Sequence, residues 1–357
     1  MRSDDAHRMP TALKKTTRSN AGPWFAAAGL FAAAFAARRL TRRGFRPEVE
    51  FSGKVVLIAG GTDGLSLALA NEFGAHGAHI GLCAGDGHEL QSARDRLAAR
   101  NIESTTFVAD VSKQPEIDSL VERVLSHYGR IDMLVNSGGK IAVGPLESFT
   151  KADFDQTMNL IFRAPVNLTL AFLPLLRKQR AGNIINIASV GGRVSLPHLL
   201  PYSCAESAFL GFSTGLSSEL KPQGIDVLTV VPGFMGTASS LNAEFRGYSR
   251  EDYTWFELLG SLPGFSVAAD RAAVLVREAV EKRKHMCTIS QPARLLAAAD
   301  AIFPEATRDV LDLTSRFLLP GSTSEDARIG KLLNPTLQLL FRDARQLGRS
   351  APHDVSQ

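Results

Sequence analysis

The chain has 357 residues, of which 45% are hydrophobic, and this length and apolar content suffice for one large α/β domain with appendages or for two modest domains. Ten of the Lys and Arg residues lie within residues 1–46 beside two Asp, so the rest of the chain is mildly acidic although the formal net charge is +4, and this argues against a nucleic-acid-binding surface. The three cysteines are too scattered for a metal site and too few for a disulfide framework, which fits a reducing compartment.

Residues 1–46 form a basic arm that contains an uncharged stretch at residues 21–37. This stretch is at the short limit for crossing a hydrocarbon core of roughly 30 Å, and Trp24 and Phe31 belong to one aromatic helical face ahead of an arginine cluster. It either spans a membrane, lies in the membrane interface, is a cleaved signal peptide, or packs on the body. We expect membrane association through residues 21–43, because the flanking charge favours it and no small-residue cleavage site precedes the arginines. The large domain would then lie at the cytoplasmic face of a membrane, and the alternative is a cytoplasmic protein.

Strand and helix patterns alternate from residue 54 onward. Residues 54–59 form a short, continuous apolar run, which is typical of a strand buried on both faces of a parallel sheet, and a helical pattern follows at 65–76. The same reading predicts strands at 79–84, 105–108, 133–136, 183–188 and 226–231, and helices at 87–100, 114–128 and about 202–220. We therefore predict an α/β fold with a doubly wound parallel sheet of the Rossmann type, which binds its ligand at the carboxyl ends of the strands.

A glycine-rich turn follows the first strand and leads into a helix. It reads Gly60, Gly61, Thr62, Asp63, Gly64, Leu65 and Ser66. Glycine lets the backbone turn tightly and approach a pyrophosphate, and the helix N-terminus offers unpaired N–H groups to that anion. Such turns are also common without any ligand.

Polar and small residues follow two further strands. Asp110 and Val111 end the third strand, where a carboxylate can accept a hydrogen bond from an adenine amine; Asp110 is alternatively a helix N-cap. The stretch from Asn136 through Gly138 to Gly139 ends the fourth strand, where small residues allow close approach of a ligand or merely form a turn.

Seven motifs together resemble the short-chain dehydrogenase/reductase family over about residues 52–290. They are the glycine turn, Asp110-Val111, Asn136-Ser137-Gly138-Gly139, Asn159, Ser189, Tyr202, and Pro232-Gly233 with Thr237. The resemblance implies an NAD(P)-dependent oxidoreductase that moves hydride between nicotinamide and a carbonyl or alcohol. It further implies that the dinucleotide is held by Gly60, Thr62, Asp63, Gly64, Leu65, Asp110, Val111, Asn136, Gly138, Tyr202, Glu206, Pro232, Gly233 and Thr237.

The resemblance assigns a role to each of three further side chains. Tyr202 would pass a proton to or from the substrate oxygen while hydride moves, and Ser189 would hydrogen-bond the same oxygen. Asn159 would hold a water in a proton relay. No metal is implied.

Glu206 stands where the family usually carries a lysine. It lies one helical turn beyond Tyr202 on the same face. The lysine would lower the tyrosine pKa, whereas an anionic Glu206 opposes ionisation of the phenol and raises that pKa. The raised pKa should slow alcohol oxidation more than carbonyl reduction. A slowed enzyme, a substitute relay and a lost activity remain open. The alternative function is a catalytically weakened or inactive dinucleotide-binding sensor or scaffold tethered to a membrane.

Cofactor choice depends on the second strand end and the glycine turn. Ala84, Gly85 and Asp63 stand there and offer no cation to a 2′-phosphate, which favours NAD over NADP. Ser66 replaces the third glycine of the family's turn and places a hydroxymethyl group at the closest helix-to-cofactor approach.

The remaining chain divides into a substrate region within the 47–290 domain and a 291–357 extension. Residues 238–267 are rich in aromatics and either cover an apolar or bulky substrate or pack on the core as a helical pair. The extension predicts helices at 293–303, 308–319 and 330–347. Their apolar faces would close the substrate pocket, form a homo-oligomer interface or rest on a membrane.

Overall fold

A computed structural model describes residues 29–30, 33, 48–60, 62–233, 235, 243–246, 266–318 and 327–329. The chain divides into two compact units, Met1–Pro47 and Glu48–Gln357, and the description below concerns the second. Apart from residues 29, 30 and 33, the predicted arm and its helix at 21–37 lie outside the described residues.

The body is built on a parallel sheet, as predicted, and this sheet has seven strands, six of which were predicted from the sequence. The described residues also form a second, three-stranded sheet. The strands of both sheets are, in chain order, β1 (Val55–Ala59), β2 (His79–Ala84), β3 (Ser104–Val108), β4 (Met133–Asn136), β5 (Ala142–Val143), β6 (Gly182–Ile187), β7 (Ile225–Val231), β8 (Glu244–Arg246), β9 (Met286–Thr288) and β10 (Ala327–Ile329). The order in the main sheet is β3-β2-β1-β4-β6-β7-β9, and in the second sheet it is β10-β8-β5. The strand order reverses between β1 and β4, and the crevice at their carboxyl ends is where such a sheet binds its ligand.

Helices cover both faces of the sheet. They are α1 (Gly64–Ala75), α2 (Gly87–Ala98), α3 (Gln114–Tyr128), α4 (Lys151–Met158), α5 (Ala164–Gln179), α6 (Leu200–Leu220), α7 (Ala269–Glu281), α8 (Gln291–Ile302) and α9 (Pro304–Leu318). A π-helical turn, Asn159–Arg163, joins α4 to α5, and 3₁₀ turns occupy Leu146–Ser148, Val190–Gly192 and Lys221–Gln223.

The continuous apolar runs of the strands follow from burial on two sides. Val56 and Ile58 of β1 pack in one core layer with α1, α2 and α7, whereas Leu57 and Ala59 pack in the other layer with α3 and α5. Successive side chains of a strand point to opposite faces, so burial on both sides accounts for an apolar residue at every position of β1.

The long helix from Lys151 to Gln179 is, among the described residues, the one helix long and apolar enough to cross a membrane by length and composition. Its mean hydropathy is 1.4. Phe172 and Leu176 on this helix are fully buried in the core layer beside Leu134 of β4. Its apolar composition is therefore accounted for by its place in the core.

Several elements differ from the sequence prediction. The sequence did not predict β9 or the small sheet β10-β8-β5, because strands of two or three residues are too short to show a period. The last described helix begins at Pro304 and not at residue 308, since proline is well suited to the first helical position. The predicted helix at 330–347 lies outside the described residues.

Candidate active site

The backbones at the ends of β1 and β4 approach each other without intervening side chains. Gly60 has φ +90° and Gly138 has φ +146°. A Cβ on Gly60 would lie 2.1 Å from the Ser137 carbonyl oxygen, and a Cβ on Gly138 would lie 2.2 Å from the Gly60 carbonyl oxygen. Glycine at both positions therefore keeps the floor of the crevice free of side chains.

The N-terminus of α1 opens into this crevice without a side-chain cap. Asp63 occupies the N-cap position but makes no capping hydrogen bond, and the first turn carries no acidic residue. Its carboxylate instead lies 3.4 Å from Arg96 Nη1 of α2. The N–H groups of this turn, which begins at Gly64 and Leu65, are thus left for an anion.

Two hydroxyl groups near this turn bond to protein. Ser66 is buried, and its Oγ lies 2.7 Å from the Ser137 Oγ at the end of β4. The hydroxymethyl group that replaces the family's third glycine thus bonds to the sheet. Thr62 Oγ1 donates to Glu89 Oε2 at 2.9 Å, so the turn is tied to α2 by a second contact. Gly61 lies outside the described residues.

Asp110 lies in a polar turn after β3. Its Oδ1 accepts hydrogen bonds from the Ser112 N–H at 3.0 Å and the Ser112 Oγ at 2.6 Å, and Lys113 Nζ lies 3.3 Å from its Oδ2. These contacts hold the pKa of the Asp110 carboxyl below its usual value. The N-cap of α3 is Lys113 and not Asp110, so the alternative role as a helix cap is wrong. Val111 beside it packs partly on the core.

Asn136 anchors a buried polar chain across the sheet. Its Nδ2 donates to Thr169 Oγ1 at 2.9 Å and to Asn186 Oδ1 at 2.8 Å. Asn186 Nδ2 in turn donates to Ser213 Oγ at 2.9 Å, and Ser213 bonds Thr229. These bonds join β4, β6 and β7 to α5 and α6 just below the crevice, so Asn136 supports the strand ends with its side chain.

Tyr202 and Ser189 come together, although they lie on different elements. Ser189 follows β6 and accepts a hydrogen bond from the Gly191 N–H at 3.1 Å, and Tyr202 is in the first turn of α6. Both side chains flank Gly191, where an added Cβ would lie 3.5 Å from Ser189 Oγ and 3.2 Å from Tyr202 Cε1, and hydrogen bonding to the Ser189 hydroxyl lowers the pKa of the phenol. Burial and the neighbouring Glu206 raise the pKa of Tyr202 well above its usual value, against a smaller lowering by the Ser189 bond. The phenol is therefore protonated at neutral pH.

Glu206 is buried directly beside this pair. The residue is 5% exposed, it lies one helical turn beyond Tyr202 in α6, and its Oε2 has no hydrogen-bond partner among the described residues. Burial raises the pKa of Glu206 to about 8, partly offset by the Tyr202 bond. From sequence we expect an anion at this position, but burial makes the neutral carboxylic acid the main form of Glu206 at pH 7.

Asn159 lies at the start of the π-helical turn. It is exposed, and its Oδ1 accepts a hydrogen bond from Arg163 Nη1 at 2.6 Å. Its carbonyl oxygen accepts from the Ala164 N–H, which is the wider bond of a π turn. Turns of this kind are frequent at functional sites, but nothing in the sequence pattern predicts one here.

Pro232 and Gly233 after β7 meet the C-terminal helices. A Cβ on Gly233 would lie 2.3 Å from Ser290 Oγ and 2.9 Å from the Ala293 Cβ, so glycine is what lets α8 pack here. Ser290 caps α8 by accepting from the Ala293 N–H at 3.2 Å. Thr237 lies outside the described residues.

Tyr202 packs against an apolar cluster, as do three other partly buried residues. Its members are Ile141, Val143, Leu196, Leu199, Tyr202, Ala243, Phe245, Leu296 and Leu311. Leu296 belongs to α8 and Leu311 to α9, and β10 pairs antiparallel with β8 next to Phe245. Of the aromatic residues predicted to cover the substrate, Phe245 is described, and it is fully buried. Residues of the extension and Tyr202 thus pack against the same apolar cluster.

Several contributors to the site carry no motif that the sequence could show. Arg96 and Glu89 lie on a helix distant in sequence from the glycine turn, and Leu296 and Leu311 belong to helices without a motif. For Leu296 and Leu311, the amphipathic pattern of α8 and α9 was the one sequence signal that could have indicated a buried role. Among the described residues, no group of three or more His, Cys, Asp or Glu is arranged to hold a metal ion.

The similarities to known proteins lead to one family. The family model for short chain dehydrogenases matches residues 54–245. A Xenopus laevis protein named dehydrogenase/reductase SDR family member 7B is 34% identical over 196 residues, which cover 53% of this chain and 60% of that relative. The match therefore spans less than two thirds of that relative's length.

Two solved structures share the fold and carry dinucleotides. A short chain dehydrogenase/reductase from Burkholderia phymatum in complex with NAD superposes with a TM-score of 0.63 at 23% identity and covers 71% of this chain and 96% of its own. A single-substitution variant of actinorhodin polyketide ketoreductase with NADPH gives a TM-score of 0.61 at 25% identity and covers 68% of this chain and 97% of its own.

Proposed function

We propose a reaction for this chain from one premise: the chain belongs to the short chain dehydrogenase family. The family is one of oxidoreductases, and its structural neighbours bind NAD and NADPH. We infer that this chain reduces a carbonyl compound to an alcohol with a nicotinamide dinucleotide. When bound, the dinucleotide supplies the hydride. The observation that carries the proposal is the juxtaposition of the Ser189 hydroxyl and the Tyr202 ring on either side of Gly191, at the carboxyl end of the sheet.

The crevice fits such a dinucleotide. Gly60 and Gly138 leave its floor bare, the start of α1 at Gly64 is uncapped, and the buried Oε2 of Glu206 lacks a partner among the residues the structure describes. The uncapped turn would bind the pyrophosphate, and Glu206 would bond a ribose hydroxyl. The other contacts would come from Thr62, Asp63, Leu65, Asp110, Val111, Asn136, Tyr202, Pro232, Gly233 and Thr237.

The proton chemistry follows from the state of the phenol. Tyr202 keeps its proton at neutral pH, so it acts as the acid that protonates the substrate oxygen during reduction. Ser189 orients that oxygen. Oxidation would need a phenolate, which burial disfavours. Asn159 would contribute to a water relay through the π turn, where its carbonyl is held by the Ala164 N–H.

The substrate is proposed to be apolar. Tyr202 packs against the apolar cluster that contains Leu196 and Leu199, and Leu296 and Leu311 of the extension pack against the same cluster. A compound that presents its carbonyl to the phenol would therefore lie near hydrocarbon side chains. The C-terminal extension closes this pocket in our proposal.

The preference for NAD over NADP stays a proposal. Asp63 and Glu89 at the ribose end of the crevice would repel a 2′-phosphate. Arg96 is a nearby cation that would favour NADPH and that the sequence pattern did not indicate, but its Nη1 lies 3.4 Å from Asp63 Oδ1, which neutralises it. Fluorescence titration with NADH and with NADPH tests this, and tighter NADPH binding would contradict it.

The experiment that tests the reaction compares Tyr202→Phe with Tyr128→Phe. Both remove one phenol hydroxyl, but the Tyr128 hydroxyl donates to the carbonyl of Ile80 in β2 at 3.0 Å and has no place in the crevice. We expect Tyr202→Phe to lower carbonyl turnover by about 10²- to 10⁴-fold with cofactor binding retained, because it removes the acid. Tyr128→Phe should keep turnover. Equal turnover in both variants would refute the assignment.

A second candidate is a dinucleotide-binding sensor or scaffold tethered to a membrane. The acidic Glu206 beside Tyr202, which raises the pKa of the phenol, favours it. Dinucleotide binding without turnover of any carbonyl in a broad panel would support this candidate against the first.

Membrane association through residues 21–43 and homo-oligomerisation are further proposals. Cell fractionation of the full chain and of a chain lacking residues 1–46 tests the first, which fails if both partition alike. Light scattering of the purified protein tests the second, and a monomer mass would remove it.

A further inference from the structure

The Glu206 carboxyl lies beside the Tyr202 phenol and has no part in the proton chemistry described so far. The residue is 5% exposed. Gly192 packs against its backbone so closely that a Cβ there would lie 2.6 Å from the Glu206 carbonyl oxygen. Ser207, the next residue, donates to the Gly192 carbonyl at 3.0 Å and fixes this contact. The protein thus encloses the carboxyl within the turn of α6 that also carries the phenol.

Charged groups on the neighbouring elements do not neutralise this carboxyl. The elements around α6 carry charged side chains that have partners of their own: Asp153 with Arg246, Asp155 with Lys151, Arg163 with Asn159, and Arg193 with Met286. On α6 itself, Glu219 is exposed and lies in the last turn. Burial and the Tyr202 bond are the two causes that set the pKa of Glu206, which is about 8. A proton, and no counter-cation among the described residues, therefore neutralises the group at pH 7.

We propose that Glu206 supplies the proton that replaces the one Tyr202 gives to the substrate oxygen, so that a carboxylic acid takes the place of a lysine in the relay. This inference rests on the proposed reduction. In the neutral acid, the carboxyl O–H donates to the phenol oxygen, which leaves the phenol O–H free to point at the substrate.

Two proton transfers and one hydride transfer complete the reduction. The phenol O–H bond breaks as its proton bonds the substrate oxygen, and the two electrons arrive with the hydride. The Glu206 O–H bond breaks as its proton bonds the Tyr202 oxygen, which restores the phenol. Glu206 is left as a carboxylate and regains a proton from solvent before the next turnover. No tyrosinate accumulates beside the acid.

The relay has a defined pH sense. Below pH 8 Glu206 holds its proton and supplies it, whereas above pH 8 it is a carboxylate that opposes any negative charge on the phenol. Reduction should therefore slow as the pH rises through about 8.

The test compares the wild type with Glu206→Gln, and Glu219→Gln serves as a matched control because it makes the same change at an exposed position of the same helix. Difference infrared spectroscopy of the free protein should show the carbonyl stretch of a protonated carboxylic acid at pH 7. This band should vanish on titration through about 8 in the wild type and in Glu219→Gln, and it should be absent in Glu206→Gln.

Kinetics give the second readout. We expect Glu206→Gln to lower kcat for reduction by about 10²-fold and to flatten the pH profile near 8, with Glu219→Gln unchanged. The absence of the infrared band in the wild type overturns the proposal, and so does full turnover with an unchanged pH profile in Glu206→Gln. A band without turnover of any carbonyl by the wild type overturns the proposed reaction, and the relay falls with it. If Glu206→Gln does not fold, the wild-type infrared titration decides.

Discussion

Gly192 packs against the backbone of α6 at Glu206, one helical turn beyond Tyr202. In Gly192→Ala, the new Cβ would lie 2.6 Å from the Glu206 carbonyl oxygen and 2.7 Å from its carbonyl carbon, both of which are backbone atoms. Ordinary contact begins at 3.4 Å, so the 3₁₀ turn and the helix must separate by the difference, about 0.8 Å. A misplacement of about 1 Å at a reacting group costs on the order of 10²-fold in rate.

We therefore expect Gly192→Ala to lower kcat for carbonyl reduction by up to about 10²-fold. Crowding of a packed contact should also lower the free energy of unfolding by about 1–3 kcal/mol. Steady-state kinetics and urea denaturation measure the two effects.

Gly215→Ala is the control, because Gly215 lies within α6 and no atom lies within 4 Å of the position that an alanine methyl group would take there. At this site alanine should raise the free energy of unfolding by about 0.5–1 kcal/mol and leave kcat unchanged. Wild-type kcat and stability in Gly192→Ala would refute the reasoning.

Two further predictions concern stability. Ser66→Ala leaves the buried Ser137 hydroxyl without its partner at 2.7 Å, so it should lower the free energy of unfolding in urea by about 1–3 kcal/mol. The control, Ser218→Ala at an exposed site of α6, should lower it by less than about 0.5 kcal/mol. Equal losses in the two variants would show that the Ser66–Ser137 bond does not stabilise the fold. Between pH 4.5 and about 8 the folded state holds the Glu206 proton that the unfolded chain releases, so the free energy of unfolding should fall as pH rises, by up to about 1.4 kcal/mol per pH unit. Glu206→Gln should remove that slope in denaturation across this window, and an identical slope in both proteins would contradict the assignment.

The sheet could be predicted from sequence because its strands are covered on both faces. Strands β2 and β4 consist mainly of apolar residues, and the predicted bounds 79–84 and 133–136 match the structure. The edge strand β9 has three residues, so no period exists to detect. The π turn after Met158 was equally hidden, because it changes hydrogen bonding without changing the apolar pattern.

The candidate site could be predicted only as far as its motifs extend. The Tyr202–Glu206 spacing placed both side chains on one helical face, and in the structure both lie in α6, where Glu206 contributes to the raised pKa of Tyr202. The protonation of Glu206 could not be predicted, because it depends on burial by elements distant in sequence. The Asp63–Arg96 pair and the apolar contacts of Leu296 likewise join residues that no local pattern relates.

In our proposal, Gly233 and the β8–β10 pairing bring the last part of the chain to a wall of the substrate pocket. The residues that would move the proton and those that would line the substrate pocket then lie in separate segments of the chain. Exchange of the C-terminal segment with that of a relative would redirect which compounds this fold accepts, while the chemistry at the phenol stays as it is.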